Sequence, residues 1–110
     1  MAVTPKVAIS KQLEAAQTTQ YTCPVGTRFL LDKFTGTNTT AAPQTISVNI
    51  VPAAGAVAAS NTIVSVKAIQ PGETYNFPEL VGQVLQPGDT ISTVTSALAI
   101  TGRCSGREVS

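Results

Sequence analysis

Thr45-Ile46-Ser47-Val48-Asn49-Ile50-Val51 is the stretch that decides the fold. Apolar and polar side chains alternate along it with a period of two, the spacing of a strand with one buried face. Ile46, Val48 and Ile50 are expected in the core, with Thr45, Ser47 and Asn49 on the opposite face. Outward from this strand, the chain is punctuated by three turns built on proline and glycine: Pro24-Val25-Gly26-Thr27, Pro71-Gly72-Glu73-Thr74 and Pro87-Gly88-Asp89-Thr90. Pro presets φ for the first corner of a turn, and Gly accepts the positive φ that a later corner demands. Each turn launches a run rich in Thr, Val, Ile or Phe, residues suited to a pleated sheet.

Those runs are Arg28 to Asn38, Thr74 to Phe77 and Thr90 to Thr101. In the first, Phe29, Leu31 and Phe34 are all candidates for the core. Strict alternation would put Lys33 beside Leu31, so a bulge is expected there. Thr62 to Ile69 reads as a further strand, and Thr19 to Cys23 as a short one. Pro52 to Asn61 is rich in alanine, but Pro52, Gly55 and the lack of an amphipathic face make it a loop. Pro78 to Leu85 has the makings of one helical turn with Pro at its first position. Thr90 to Ser96 and Ala97 to Gly102 read as a final hairpin. Short strands at regular spacing with turns between them indicate a sandwich or barrel. The expectation is an all-β fold: a single antiparallel β-sandwich, jelly-roll-like, of about eight strands.

Residues 1–17 read as an extended N-terminal arm and residues 18–110 as the sandwich domain. Val7-Ala8-Ile9-Ser10 could pair as a short strand, while Lys11 to Gln17 holds good helix formers in a segment too short for a stable isolated helix. Val7, Ile9 and Leu13 are the arm's apolar anchors. They are candidate protein-interaction residues, docking on the arm's own domain or on a neighbour.

The 110 residues are 43% hydrophobic and only 12% charged, with a net charge of +1. An average globular protein is about 25% charged. The balance is made up by Thr, Ser, Asn, Gln and Ala, a polar but uncharged surface that suits packing against neighbours. The basic residues look scattered along the chain, apart from Arg103 and Arg107, so no stripe for nucleic acid is expected. No His is present, and Cys23 and Cys104 form no CxxC pair, so neither a metal site nor a cofactor is expected. The two cysteines could form a disulfide or remain as half-buried thiols in strands. The first six residues lack an apolar h-region and no apolar run approaches roughly 18 residues, so neither a signal peptide nor a membrane span is expected. Synthesis in the cytoplasm follows, where a required disulfide is disfavoured.

Catalytic chemistry has little to draw on. Nucleophilic catalysis through Ser or Cys lacks its His base. Glu73 and Asp89 lie in Pro-Gly turns, where carboxylates cap exposed backbone. Glu79 would sit in the first turn of the short helix. Asp32 and Lys33 interrupt an apolar strand: one of them could pair across the sheet, with Arg28 supplying the pairing charge, or face a partner subunit. Arg103 and Arg107, with Glu108, belong to the C-terminal segment. There they guard an edge strand or dock a neighbour, so both are candidate interaction residues.

Tyr21-Thr22-Cys23-Pro24-Val25-Gly26-Thr27, followed by a hydrophobic strand ending Thr37-Asn38-Thr39-Thr40, resembles the start of small β-sandwich structural proteins of tailed-phage virions. Ile50-Val51-Pro52, Pro71-Gly72-Glu73-Thr74, Val84 to Ile91 and Ser105-Gly106-Arg107-Glu108 continue the resemblance, which runs from about Thr19 to the end. Such proteins often carry a small apolar residue where this chain has Cys23. The resemblance implies a non-enzymatic virion component. It would be a capsid decoration or cement protein that binds the coat as a homo-oligomer, or a tail- or fibre-associated module. Its partners would be the major capsid protein or tail proteins, and it would be made in the host cytoplasm. A carbohydrate-binding sandwich is a third class. It would need exposed aromatics, and Trp is absent.

Overall fold

The structure is a computed structural model and describes residues 2–110. It contains nine strands among the described residues: β1 (Val3–Gln12), β2 (Thr18–Thr22), β3 (Arg28–Asn38), β4 (Gln44–Val51), β5 (Thr62–Ile69), β6 (Thr74–Tyr75), β7 (Val84–Leu85), β8 (Thr90–Thr95) and β9 (Ile100–Val109). They form two antiparallel sheets. The front sheet runs β1-β9-β3-β6, with β7 also on β3, and the back sheet runs β2-β8-β4-β5. The pairings are nested: β1 with β9, β2 with β8, β3 with β6 and β7, β4 with β5. With β6 and β7 counted as one interrupted strand, this is an eight-stranded ribbon rolled so that β9 meets β3 and β8 meets β4. That is the jelly-roll form of the β-sandwich, as the sequence led us to expect.

The core lies between the sheets. Phe29, Leu31 and Phe34 of β3 face Ile46 and Val48 of β4, Ile69 of β5 and Ile91 of β8, all essentially inaccessible. The register of β3 on β9 shifts between Leu31 and Lys33, so a bulge at Asp32 lets both Leu31 and Phe34 point inward. On β4, Ile46 and Val48 are buried and Ile50 packs partly against the same cluster. Asn49 on the opposite face is buried too. Its amide donates to Asn61 Oδ1 at 2.8 Å and Thr62 Oγ1 at 3.0 Å beneath the 52–61 loop.

Three sequence expectations change. Pro78 to Leu85 is not helical. Leu80 N–H donates to Phe77 O at 3.0 Å in a turn, Gly82 takes φ +86°, and Phe77 and Leu80 insert into the core. The segment thereby fills the gap between β6 and β7, and Leu31 N–H donates to Gln83 O at 2.9 Å. Second, β8 and β9 are not a hairpin: they lie in different sheets. Third, the C-terminal segment is no edge strand. β9 is central, flanked by β1 and β3. A Cβ on Gly102 would meet Leu13 at 2.9 Å, and one on Gly106 would collide with the Leu30 carbonyl, so only glycine lets these neighbours approach.

Residues 1–17, read as an arm that docks on its own domain or on a neighbour, take the first course. Residues 3–12 are a full strand of the front sheet, and the chain then turns into the core at Leu13. Ile9 pairs opposite Cys104 and is buried, because β1 would otherwise leave β9 uncovered on one side. The segment therefore docks on its own domain. Ala2 and Ser110 exchange backbone hydrogen bonds of 3.0 and 2.9 Å, so Val3, Pro5 and Val7, before the bulge at Ala8, turn their backbone groups to the free edge. Pro5 falls on that side, where its missing N–H interrupts the edge.

Candidate interaction surfaces

Two surfaces stand out. The first is the end of the sandwich that carries both termini, the turn 24–27, the loop 52–61 and the turn 86–89. Asp89 organises it: its carboxylate accepts from Ala53 N at 3.0 Å and Gln86 N at 2.9 Å. Asn61 fastens the loop from within, donating to Ala56 O at 2.9 Å and accepting from Ala58 N at 3.2 Å. Held in this way, the loop presents Ala54, Ala56, Val57 and Ala59 to solvent. Val25, at the tip of its turn, is 93% exposed. A shallow cleft of about 270 Å³ at this end is lined by Gly26, Thr27, Arg28, Pro87, Val109 and Ser110.

The second surface is the outer face of the front sheet. Strand alternation puts Arg28, Leu30 and Lys33 of β3 on it, with Arg103, Ser105 and Arg107 of β9, because Phe29, Phe34, Cys104 and Gly106 point inward. Val3, Pro5 and Val7 extend it onto β1, opposite Val109, Arg107 and Ser105. Val84 of β7 extends it on the other side, opposite Leu30. Arg107 forks onto Asp32 with two bonds of 3.0 Å, which holds its guanidinium above the usual range. Arg103 donates to Ser10 Oγ at 3.0 Å.

The five residues singled out by the sequence separate here. Val7, Arg103 and Arg107 come together on the front face, exposed. Ile9 and Leu13 belong to the protein's own core. Sequence reading missed Arg28 and Lys33 as companions of Arg103 and Arg107. The basic residues are scattered along the chain but gathered by the β3–β9 pairing. The bulge at Asp32 was the available clue, since it sets which side Lys33 takes. It also gives Asp32 to Arg107 and leaves Arg28 to bond Gln86 Oε1 at 3.0 Å.

The remaining carboxylates are engaged elsewhere. Glu73 caps Gln70 N at 2.7 Å, Glu14 pairs with Lys11 at 2.8 Å, and Glu79 accepts from the Tyr75 hydroxyl at 2.8 Å. Glu108 faces inward and accepts from Tyr21 Oη at 2.6 Å; burial, then this bond, raises the Tyr21 phenol well above its ordinary value. Among the described residues no group of three or more His, Cys, Asp or Glu is placed to hold a metal ion, and no helix is long and apolar enough to cross a membrane. Cys23 and Cys104 are buried free thiols. No family model, curated protein or solved structure matches the chain.

Proposed function

We propose that this chain is a non-enzymatic structural protein of a tailed-phage virion, a capsid decoration protein that binds the coat lattice and stabilises it as a homo-oligomer. The observation that carries the reading is the apolar tip at one end of the sandwich. There Val57 projects from the loop pinned by Asp89 and Asn61, and Val25 from the turn closed by Thr27 on Pro24 O, beside a row of exposed alanines. A rigid apolar tip that contributes nothing to its own core gains by burial against a partner. The jelly roll is also an architecture common to capsid and lectin domains. A tail-associated module would use the same tip.

The lectin reading is disfavoured by the aromatics. Phe77 and Tyr21 are buried, and the ring of Tyr75 is covered by Lys67 Nζ at 4.6 Å and packed edge-on against Phe77. Among the described residues no open aromatic face is left to stack on a sugar.

The test is copurification with intact particles, with difference density locating the protein. Wild type should occupy sites on the shell, and Val25→Asp with Val57→Asp should remove it while leaving the circular dichroism unchanged. Particles that never contain the protein would overturn the proposal.

A further inference from the structure

The fold separates the charges of this nearly neutral chain. All six acidic side chains have partners within the molecule: Glu14 with Lys11, Asp32 with Arg107, Glu73 and Asp89 with turn backbone, Glu79 with Tyr75 and Glu108 with Tyr21. Only Asp32 lies on the outer face of the front sheet. That face holds Arg28, Lys33, Arg103 and Arg107, so four cations meet one carboxylate. Lys33 pairs opposite Ser105, between Arg103 and Arg107 on β9, and among the described residues it has no hydrogen bond or ion pair. Like charges gathered on one face of a sheet oppose folding, and among the described residues no carboxylate offsets this cluster beyond Asp32.

From this placement we infer that the outer face of the front sheet is a docking site for an acidic protein surface, one presenting Asp and Glu side chains with apolar ones beside them. Charge complementarity names the sign of the partner. The apolar residues that flank the cations on β1 and β7, with Leu30 among them on β3, name its class. Val7 and Val84 are exposed and Leu30 is half-buried on the same face. A phosphate backbone would leave such groups uncovered, whereas the core of a protein interface covers them. The face also lacks an exposed aromatic for base stacking, the usual companion of a cationic groove for single strands. A second copy of this chain is a poor occupant because its own carboxylates are already engaged. The inference stands on charge placement and does not depend on where the protein resides.

The experiment is a titration of the isotope-labelled full chain with poly-L-glutamate, and separately with a DNA duplex, at about 0.15 M salt, followed by amide shifts. Poly-L-glutamate should move the amides of Lys33, Arg103, Ser105 and Arg107. Binding should fall at least about tenfold in Lys33→Glu/Arg103→Glu, and vanish near 1 M salt, where the screening length is about 3 Å. The neutral pair Lys33→Gln/Arg103→Gln, which adds no new charge, should show a smaller loss. Shifts centred elsewhere, equal binding by the charge-reversed variant, or tighter binding of the duplex to the same residues would each overturn the inference.

Discussion

Tyr21 Oη lies 2.6 Å from Glu108 Oε2, and this hydrogen bond ties β2 of the back sheet to β9 of the front sheet. The Tyr21 ring packs on Phe29 with centroids 4.7 Å apart, so the phenol is held by packing on one side and by charge on the other. Tyr21→Phe keeps the ring and removes the donor. It should cost about 1.5–3 kcal/mol, the range for a hydrogen bond to a charged group. Glu108→Gln keeps an acceptor and should cost less. Urea unfolding reads both as a lower midpoint at unchanged slope; an unchanged midpoint for Tyr21→Phe would show the bond to be idle.

Alkali should unfold the protein through the buried thiol of Cys104. Burial pushes that group from its ordinary 9.0 up to about 12, because the thiolate cannot be solvated between the sheets. The folded value is the higher one, so the contribution is complete below pH 9.0 and is lost as pH rises towards about 12. The Tyr21 phenol is shifted in the same direction, first by burial, and adds to the loss. Thermal unfolding across that range should show a steep decline in wild type and a shallower one in Cys104→Ala. Parallel curves would remove Cys104 from the account.

Much of this fold is written locally. The alternation of Ile46 and Val48, the bulge before Phe34 and the glycine turns are set by neighbours in sequence. Gly26, Gly72 and Gly88 do take φ of +81°, +74° and +87°. What could not be read was partnership at a distance. β1 finds β9 across almost the whole chain, and no local pattern records that choice. β9 itself looks unlike a central strand, with Gly102, Arg103, Gly106 and Arg107 in it. Its glycines answer to Leu13 and Leu30, which arrive from elsewhere. Asn38, fully buried, shows the same blindness. Its amide donates to Ala42 O and Ile69 O, and its carbonyl accepts from both donors of Thr40, so it anchors the 39–43 loop from a position that reads as the end of a strand. The cationic front face was hidden for the same reason.

Val66 is held at φ +46°, a region that disfavours β-branched residues, and its side chain is 66% exposed. The strain arises where β5 bulges against β4, with the Val66 N–H donating to Ser47 Oγ at 2.8 Å. The left-handed conformation costs an ordinary residue about 1–2 kcal/mol, part of which glycine returns as chain entropy in the unfolded state. Val66→Gly should therefore raise stability by up to about 1 kcal/mol, and Val66→Pro should lower it sharply because φ and the donated N–H are both lost. A destabilised glycine variant would mean that the isopropyl group packs usefully where it stands.

Leu13 decides whether the N-terminal segment can be removed. It is fully buried, its N–H donates to Ile100 O at 2.8 Å, and its methyl groups rest on Gly102. Leu13→Ala should cost about 2–5 kcal/mol, a large share of the roughly 5–15 kcal/mol that keeps a domain folded. Gly102→Ala crowds the same contact. In a Leu13→Ala background that crowding has room to relax, so the two changes should be less costly together than their sum. Deleting residues 1–17 removes Leu13, Ile9 and the whole of β1, and uncovers Cys104 and Ile100 on the central strand. The truncated chain should lose its β-sheet circular dichroism and aggregate. Deleting only residues 1–6, which are exposed wherever they are described, should leave a folded protein. A folded chain lacking residues 1–17 would show that β9 tolerates life at the edge, and would return the segment to the role of a detachable arm.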